Sequence, residues 1–424
     1  MRKIALAATA VAALSAGLST PAFAAAPDAP TDVKIAWADS SHIKLTWADT
    51  DLANTVYWQL PGGNELKFGD VASTAANEFL FPTSLFTRNL DKVKLIVKSS
   101  TADGLSEPAA SPEFDTFVPA APALQDANLL PNLSTQLKWT QAAVADGTPN
   151  DPLDDPSQEG FEVTALRPTG TTESLGGFDA GTTSATIVAQ PRPTTLTLLG
   201  INPWGKTKGA RTVKLGTLGA GITVPATAAY SNRLAIKSTL DLFTSPGREE
   251  RASGIKVELQ ARAKSTDAWK TYGRYDGNTT AAFDTGIASL GNRQYRLWVP
   301  ARKVVTSNVI VLTPATSTSA KSSKTYVKFG PGGFSPSVIR VGARSTFSIK
   351  ILPAVSVKVK LQAWTGSSWV DIVSLPLTKG SYVERGDIET ERYSVRVRVT
   401  VPTVVVNGLT VNATTGPAYS LTVK

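Results

Sequence analysis

Along most of this chain apolar and polar residues alternate one for one. Val33, Ile35 and Trp37 interleave with Asp32, Lys34 and Ala36, and Ile43, Leu45 and Trp47 interleave with Lys44 and Thr46. Successive side chains of a strand point to opposite faces, so a period of two predicts strands with one buried face. The pattern returns at Val93, Leu95 and Val97, at Leu137 and Trp139, at Leu196 and Leu198, and at Val257 and Leu259. It returns again at Tyr295, Leu297 and Val299, at Val357, Val359 and Leu361, and at Tyr393, Val395, Val397 and Val399. No segment after residue 24 sustains a helical period. The expected class is therefore all-β, built of sandwiches whose short strands are separated by turns.

About 400 residues exceed what one sandwich needs. Pro119–Ala123, Val224–Ala229 and the polar run Ser317–Lys324 have the composition of solvated, extended connections. They divide the chain into units at 27–118, 124–223, 230–314 and 325–424. An internal repeat supports the last two. Lys256-Val257-Glu258-Leu259-Gln260-Ala261 precedes Trp269 and Tyr295, while Lys358-Val359-Lys360-Leu361-Gln362-Ala363 precedes Trp369 and Tyr393. Core packing is the expected task of Trp269 and Trp369, since a buried indole contributes a large apolar area.

The N-terminus sets Arg2 and Lys3 before an uncharged apolar run from Ile4 to about Leu18, then Ala22-Phe23-Ala24. That order is expected of a signal peptide over 1–24, cleaved on export. The apolar run is too short to span a bilayer, and no second one follows, so no transmembrane segment is expected in the mature chain. The expected location is extracellular, or loosely attached to the cell envelope. Cysteine is absent, so stability rests on burial and hydrogen bonding rather than on disulfides.

Pro30-Thr31-Asp32-Val33, Ile43-Lys44-Leu45-Thr46-Trp47, Val56-Tyr57-Trp58, Lys94-Leu95-Ile96-Val97-Lys98-Ser99 and Gly104-Leu105-Ser106-Glu107-Pro108 together resemble a fibronectin type III domain. Leu137-Lys138-Trp139, Phe161-Glu162-Val163 and the run Leu196–Asn202 into Trp204-Gly205-Lys206 are similar to a second, more diverged copy. The tyrosine usual at the start of the penultimate strand is Val93 in the first unit and Thr194 in the second. The third and fourth units resemble immunoglobulin-like repeats of secreted Gram-positive proteins, with Tyr295 and Tyr393 where a corner tyrosine is expected. The resemblance implies tandem immunoglobulin-like and fibronectin type III β-sandwiches that serve as spacers, adhesion surfaces or accessory domains beside polysaccharide-degrading enzymes.

Candidate chemistry is sparse. His42 is the single histidine, and with no cysteine the ordinary zinc sites are excluded. A nucleophile needs an imidazole partner, so His42 bounds any such catalysis to one site. Asp151, Asp154, Asp155 and Glu159 gather four carboxylates in nine residues and are the calcium candidates, although two prolines and the lack of a ligand-turn glycine argue for a solvated acidic loop. As a glycosidase pair they would need a cleft that holds opposed carboxyls apart, which a flexible loop does not provide. Arg385-Gly386-Asp387 resembles the integrin-binding tripeptide of fibronectin and is equally explained by a hairpin turn. Trp58, Trp204, Trp298 and Trp364 fall near turns or out of phase with the core pattern, where an indole could stack on a sugar.

Charge changes the picture most. Residues 25–228 carry 14 Lys and Arg against 22 Asp and Glu, a net −8, while residues 229–424 carry 27 against 12, a net +15. Any attraction to anionic polymers belongs to the C-terminal half. Arg396 and Arg398 alternate with Val395, Val397 and Val399 and so form a positive stripe on an outer face, close to Trp364. The expected function is a secreted, non-catalytic binding, adhesion or spacer protein. Its partners would be an anionic cell-wall polymer or glycan, or another extracellular protein, with no cofactor and no specific nucleic acid. The alternative is an accessory protein or hydrolase of extracellular polysaccharide degradation.

Overall fold

The structure is a computed structural model that describes residues 25–143 and 146–424. The expected signal peptide lies outside the described residues. Among the described residues regular structure is strand throughout, apart from two 3-10 turns at Thr83–Leu85 and Pro156–Gln158. Among the described residues no helix is long and apolar enough to cross a membrane. The chain forms two compact units. Of the described residues, one holds those up to Ala120, those of 142–160 and Gly200–Thr207; the other holds Ala121–Gln141, Phe161–Leu199 and Lys208–Lys424.

In the first unit Thr31–Asp39, His42–Ala48 and Glu78–Pro82 form one sheet. The facing sheet runs Glu65–Val71, Ala53–Gln59, Lys94–Thr101 and Gly104–Leu105. Ala109–Ala110 also pairs with Lys94–Thr101, so three strands lie against five in a two-layer β-sandwich. The alternating residues dictate it: Ile43 and Leu45 are fully buried and oppose Phe81 and Phe79 across the ladder, while Val56, Leu95 and Val97 fill the other side. Each such aliphatic side chain contributes about 1.5–3 kcal/mol when fully buried. Leu153 and Trp204 belong to the same core. Val93, where a corner tyrosine would stand, is buried and bridges to Phe114.

The second unit contains three sheet pairs. In its first pair, Ala123–Leu129, Thr135–Thr140 and Ser184–Ile187 face a six-stranded sheet. That sheet runs Thr172–Asp179, Gly160–Leu166, Thr194–Asn202, Gly205–Leu215, Val309–Thr313 and Arg302–Val305. Its last two strands depart from the reading of the linkers, which left 302–313 in the unit 230–314. Val309–Thr313 instead runs parallel to Gly205–Leu215, and Ile310 and Leu312 are buried in the core of this pair. Thr194, at the other expected corner position, donates from its hydroxyl to Pro191 O at 2.6 Å.

The next pair sets Thr217–Thr223 and Lys237–Ser245 against a sheet of Thr227–Ala229, Lys321–Tyr326, Arg293–Val299, Ile255–Arg262 and Lys270–Gly277. Two expected connections are therefore strands, since Thr227–Ala229 pairs in parallel with Lys321–Tyr326, and Thr217–Thr223 leaves the unit 124–223 to pair with Lys237–Ser245. The small and hydroxylated residues there are buried: Ser323 and Thr325 alternate inward, and Thr325 shares a hydrogen bond with Ser289 at 2.6 Å. In the last pair Thr346–Leu352 and Ser381–Arg385 face Thr414–Val423, Tyr393–Val401, Val357–Trp364 and Trp369–Leu377. Ile349, Ile351, Val359, Val397 and Val399 form its core. The chain is thus all-β, a succession of two-layer sheet pairs.

Candidate binding surface

The repeat seen in the sequence is real in space but anchored on different residues. Gln260 opposes Arg296 in one sheet and Gln362 opposes Arg398 in the other. In each, the arginine Nε donates to the glutamine Oε1, at 2.9 and 2.8 Å, across the same separation of 36 residues. Both sheets also carry a β-bulge at the same place, after Leu259 and after Leu361. Tyr295 and Tyr393 are not equivalents: Tyr295 is fully buried, whereas Tyr393 is 39% exposed. Burial and a hydrogen bond to Glu389 push the Tyr393 hydroxyl up to about 12.

Trp269 and Trp369 do not pack in the cores. Each stands half-buried on the outer face of its sheet, because it sits at the start of an edge strand, Trp369 as its first residue and Trp269 just before Lys270–Gly277, and leans over the arginines of its neighbours. The guanidinium of Arg296 lies 4.5 Å from the Trp269 ring and that of Arg262 lies 4.4 Å from it. Arg398 lies 4.4 Å and Arg396 5.8 Å from the Trp369 ring. A cation over an indole face is held by the ring quadrupole, worth about 0.5–2 kcal/mol according to exposure. The alternation of Tyr393–Val401 puts both arginines outward, as its valines require.

The two copies differ in what they leave open. In the earlier sheet Arg262 Nε donates to Gln294 Oε1 at 2.9 Å, and Glu258 accepts from Arg274 and Thr271. The cations are thereby engaged. In the later sheet Trp364 takes the place of Arg262, Arg396 that of Gln294 and Lys360 that of Glu258, by strand register. Trp364 is 39% exposed and lies 5.4 Å from Trp369, centroid to centroid. Lys360 pairs with Asp371 at 2.7 Å, and Asp371 also accepts from Gln362, so these contacts hold its carboxyl below the usual range. Arg396 has no acidic partner among the described residues. Trp364, Trp369, Arg396 and Arg398 therefore form one contiguous cationic and aromatic patch, suited to an anion carried on a flat or saccharide body.

The other candidates are placed elsewhere. Trp58 and Trp204 are core residues, 4% and 9% exposed, and present no platform. Trp204 is stacked on Phe114 at 6.0 Å and tilted against Trp37 at 5.5 Å, which turns apolar bulk near a turn into core. Trp298 is half-buried. Arg385 ends a strand opposite Thr346, and Gly386 N donates to Ser345 O at 2.9 Å. The Arg385-Gly386-Asp387 tripeptide thus lies along a strand end rather than at a hairpin tip.

The acidic loop is tied to itself rather than loosely solvated. Asp151 accepts from Leu153 N at 2.6 Å, from the Thr148 hydroxyl at 3.0 Å and from Asp115 N at 3.2 Å, and burial still pushes its carboxyl up. Asp154 accepts from Asp151 N, and Asp155 from Ser157 and Gln158. Burial first and the Asp154 charge second raise Glu159. Among the described residues no three potential ligands are gathered for a metal ion. His42 Nδ1 lies 2.9 Å from Asp39 and 3.1 Å from the Ser41 hydroxyl. A relay needs the acid and the nucleophile on opposite ring nitrogens, whereas here both crowd the same one. The group closes a turn between two strands.

No family model matches this chain, and no curated protein matches it. Among solved structures it is similar to a tetra-tandem repeat in the extending region of a large adhesion protein, at 11% identity and a TM-score of 0.28, covering 91% of this chain and 98% of that one. It is also similar to a two-domain fibronectin type III segment from chicken tenascin, at 12% identity and a TM-score of 0.21, covering 44% of this chain and 97% of that one.

Proposed function

We propose that this chain is an exported, non-catalytic array of β-sandwiches that acts in adhesion or spacing at the cell envelope, and that its basic C-terminal half holds anionic polymers there. The observation that carries the reading is the outer face formed by Trp364, Trp369, Arg396 and Arg398. It lies in the half of the chain with net charge +15. A guanidinium without an acidic partner keeps its full attraction for an external anion, and neighbouring aromatic surface adds contact that does not depend on salt.

The test is retention of the purified protein on immobilised anionic polymer, such as isolated teichoic acid-bearing cell wall, at rising salt. Polymer binding by displacement of counterions predicts that affinity falls steeply as salt increases. The double variant Arg396→Gln, Arg398→Gln is expected to flatten that dependence. Retention that ignores salt, or that the double variant leaves unchanged, refutes the reading.

A further inference from the structure

Arg293 stands where the strand pattern calls for an apolar residue. In Arg293–Val299 it shares the inward face with Tyr295, Leu297 and Val299, and its counterpart in the repeat, by register, is Val395. It is 8% exposed. No carboxylate lies within ion-pair distance of it among the described residues, and its guanidinium lies over the face of Tyr272, 4.4 Å from the ring centre. A guanidinium on a cleft wall without an acid beside it keeps its attraction for an external anion.

Arg293 lines a cleft of about 420 Å³. One wall comes from its own sheet pair, through Lys270, Tyr272 and Leu290; the other is the hairpin Val406–Leu409 of the last pair. Backbone bonds pin the walls together. Asn292 N donates to Thr410 O and Asn412 N to Thr325 O, both at 2.8 Å, and Asn412 Nδ2 donates to Asn292 Oδ1 at 2.8 Å. Gly291, with φ +150°, permits this approach, because a Cβ there would fall 2.4 Å from the Leu409 Cβ. The cleft is preformed. Lys270 is exposed and has no ion-pair partner among the described residues, while the one acid on the lining, Asp267, already accepts from Lys264 N. The lining carries Arg262, Lys270 and Arg293 against the single acid Asp267, and a concave surface with that excess of cations concentrates the field on an entering anion.

We infer that this cleft is a binding site for a carboxylate-bearing ligand of sugar size, a hexuronate unit, whose carboxylate is received by Arg293 and Lys270 while Asn407 and Tyr272 meet its hydroxyls and ring. The mixed lining and the volume suit a polyhydroxylated ring, and a planar carboxylate matches the guanidinium fork. The inference does not depend on polymer retention by the Trp364 face, which lies on the outer side of a different sheet.

Calorimetric titration of the full chain with glucuronate, glucose and inorganic phosphate tests it. Saturable binding of glucuronate, with none for glucose, is expected. Arg293→Met is expected to abolish that binding, and Lys270→Ser to weaken it about tenfold. Lys270 is exposed, so its variant decides the matter should Arg293→Met fail to fold. Three results overturn the inference: no saturable glucuronate binding, equal binding of glucose, or binding of phosphate in preference to glucuronate. Glucuronate affinity unchanged in Lys270→Ser and in any folded Arg293→Met does so as well.

Discussion

The guanidinium of Arg398 lies 4.4 Å from the centre of the Trp369 ring. The same arginine is held from its other side by Gln362, and an identical trio of Trp269, Arg296 and Gln260 recurs one sheet pair earlier. A shared clasp separates what stabilises the module from what the last module adds, namely Trp364 and Arg396.

If the clasp is structural, Trp369→Ala costs about 1–2 kcal/mol through the lost stacking. Urea unfolding followed by circular dichroism measures it. Arg398→Lys retains the charge but loses the fork geometry, so it is expected to destabilise while leaving the salt dependence of polymer retention intact.

Trp204 belongs to an aromatic cluster with Trp37, Phe86 and Phe114. Trp204→Ala is expected to destabilise the first unit by about 3–5 kcal/mol. Binding to any glycan should not change at a temperature where the variant is folded. A thermal melt paired with a retention assay separates the two effects.

Asp39 is held at about 2 by hydrogen bonds from His42 and then from Ser41 N. A lowered carboxylate favours the folded state above its unfolded value of about 3.9, and that contribution is lost as pH falls through about 2. In His42→Ala the Asp39 resonance is expected to titrate nearer the ordinary range, as followed by carboxyl-carbon NMR. An unchanged midpoint contradicts the assignment.

The Tyr382 hydroxyl donates to the Glu384 carboxylate, which with burial pushes it up to about 12. The neutral phenol is the favoured form, so its contribution is complete below about 10 and is lost as pH rises through about 12. Glu384→Ala is expected to bring one tyrosine of the chain back towards 10 in an ultraviolet phenolate titration.

Particular residues show how far sequence reading reached. The alternation at Ile43 and Leu45, or at Val397 and Val399, predicted buried faces that the structure confirms, because a strand gives every second side chain to one side. The repeat was legible, yet tyrosine spacing was a poor anchor: an aromatic can serve in the core, as Tyr295 does, or at the surface, as Tyr393 does. The invariant separation of 36 residues between Gln260 and Arg296, and between Gln362 and Arg398, was the better signal. Arg293 was missed, although as a charge in phase with Tyr295, Leu297 and Val299 it carried a signal that could have found it.

By itself the sequence determined the all-β class, the inward residue set of most strands, the contrast in charge between the halves and the outward stripe of Arg396 and Arg398. Each follows from local periodicity or simple counting. Tertiary structure alone decided that Val309–Thr313 joins Gly205–Leu215, that Trp204 is core while Trp369 is not, and that Arg293 faces a cleft closed by Val406–Leu409. Alternation specifies the face a side chain takes, but it is silent on which distant strand or hairpin will lie against that face.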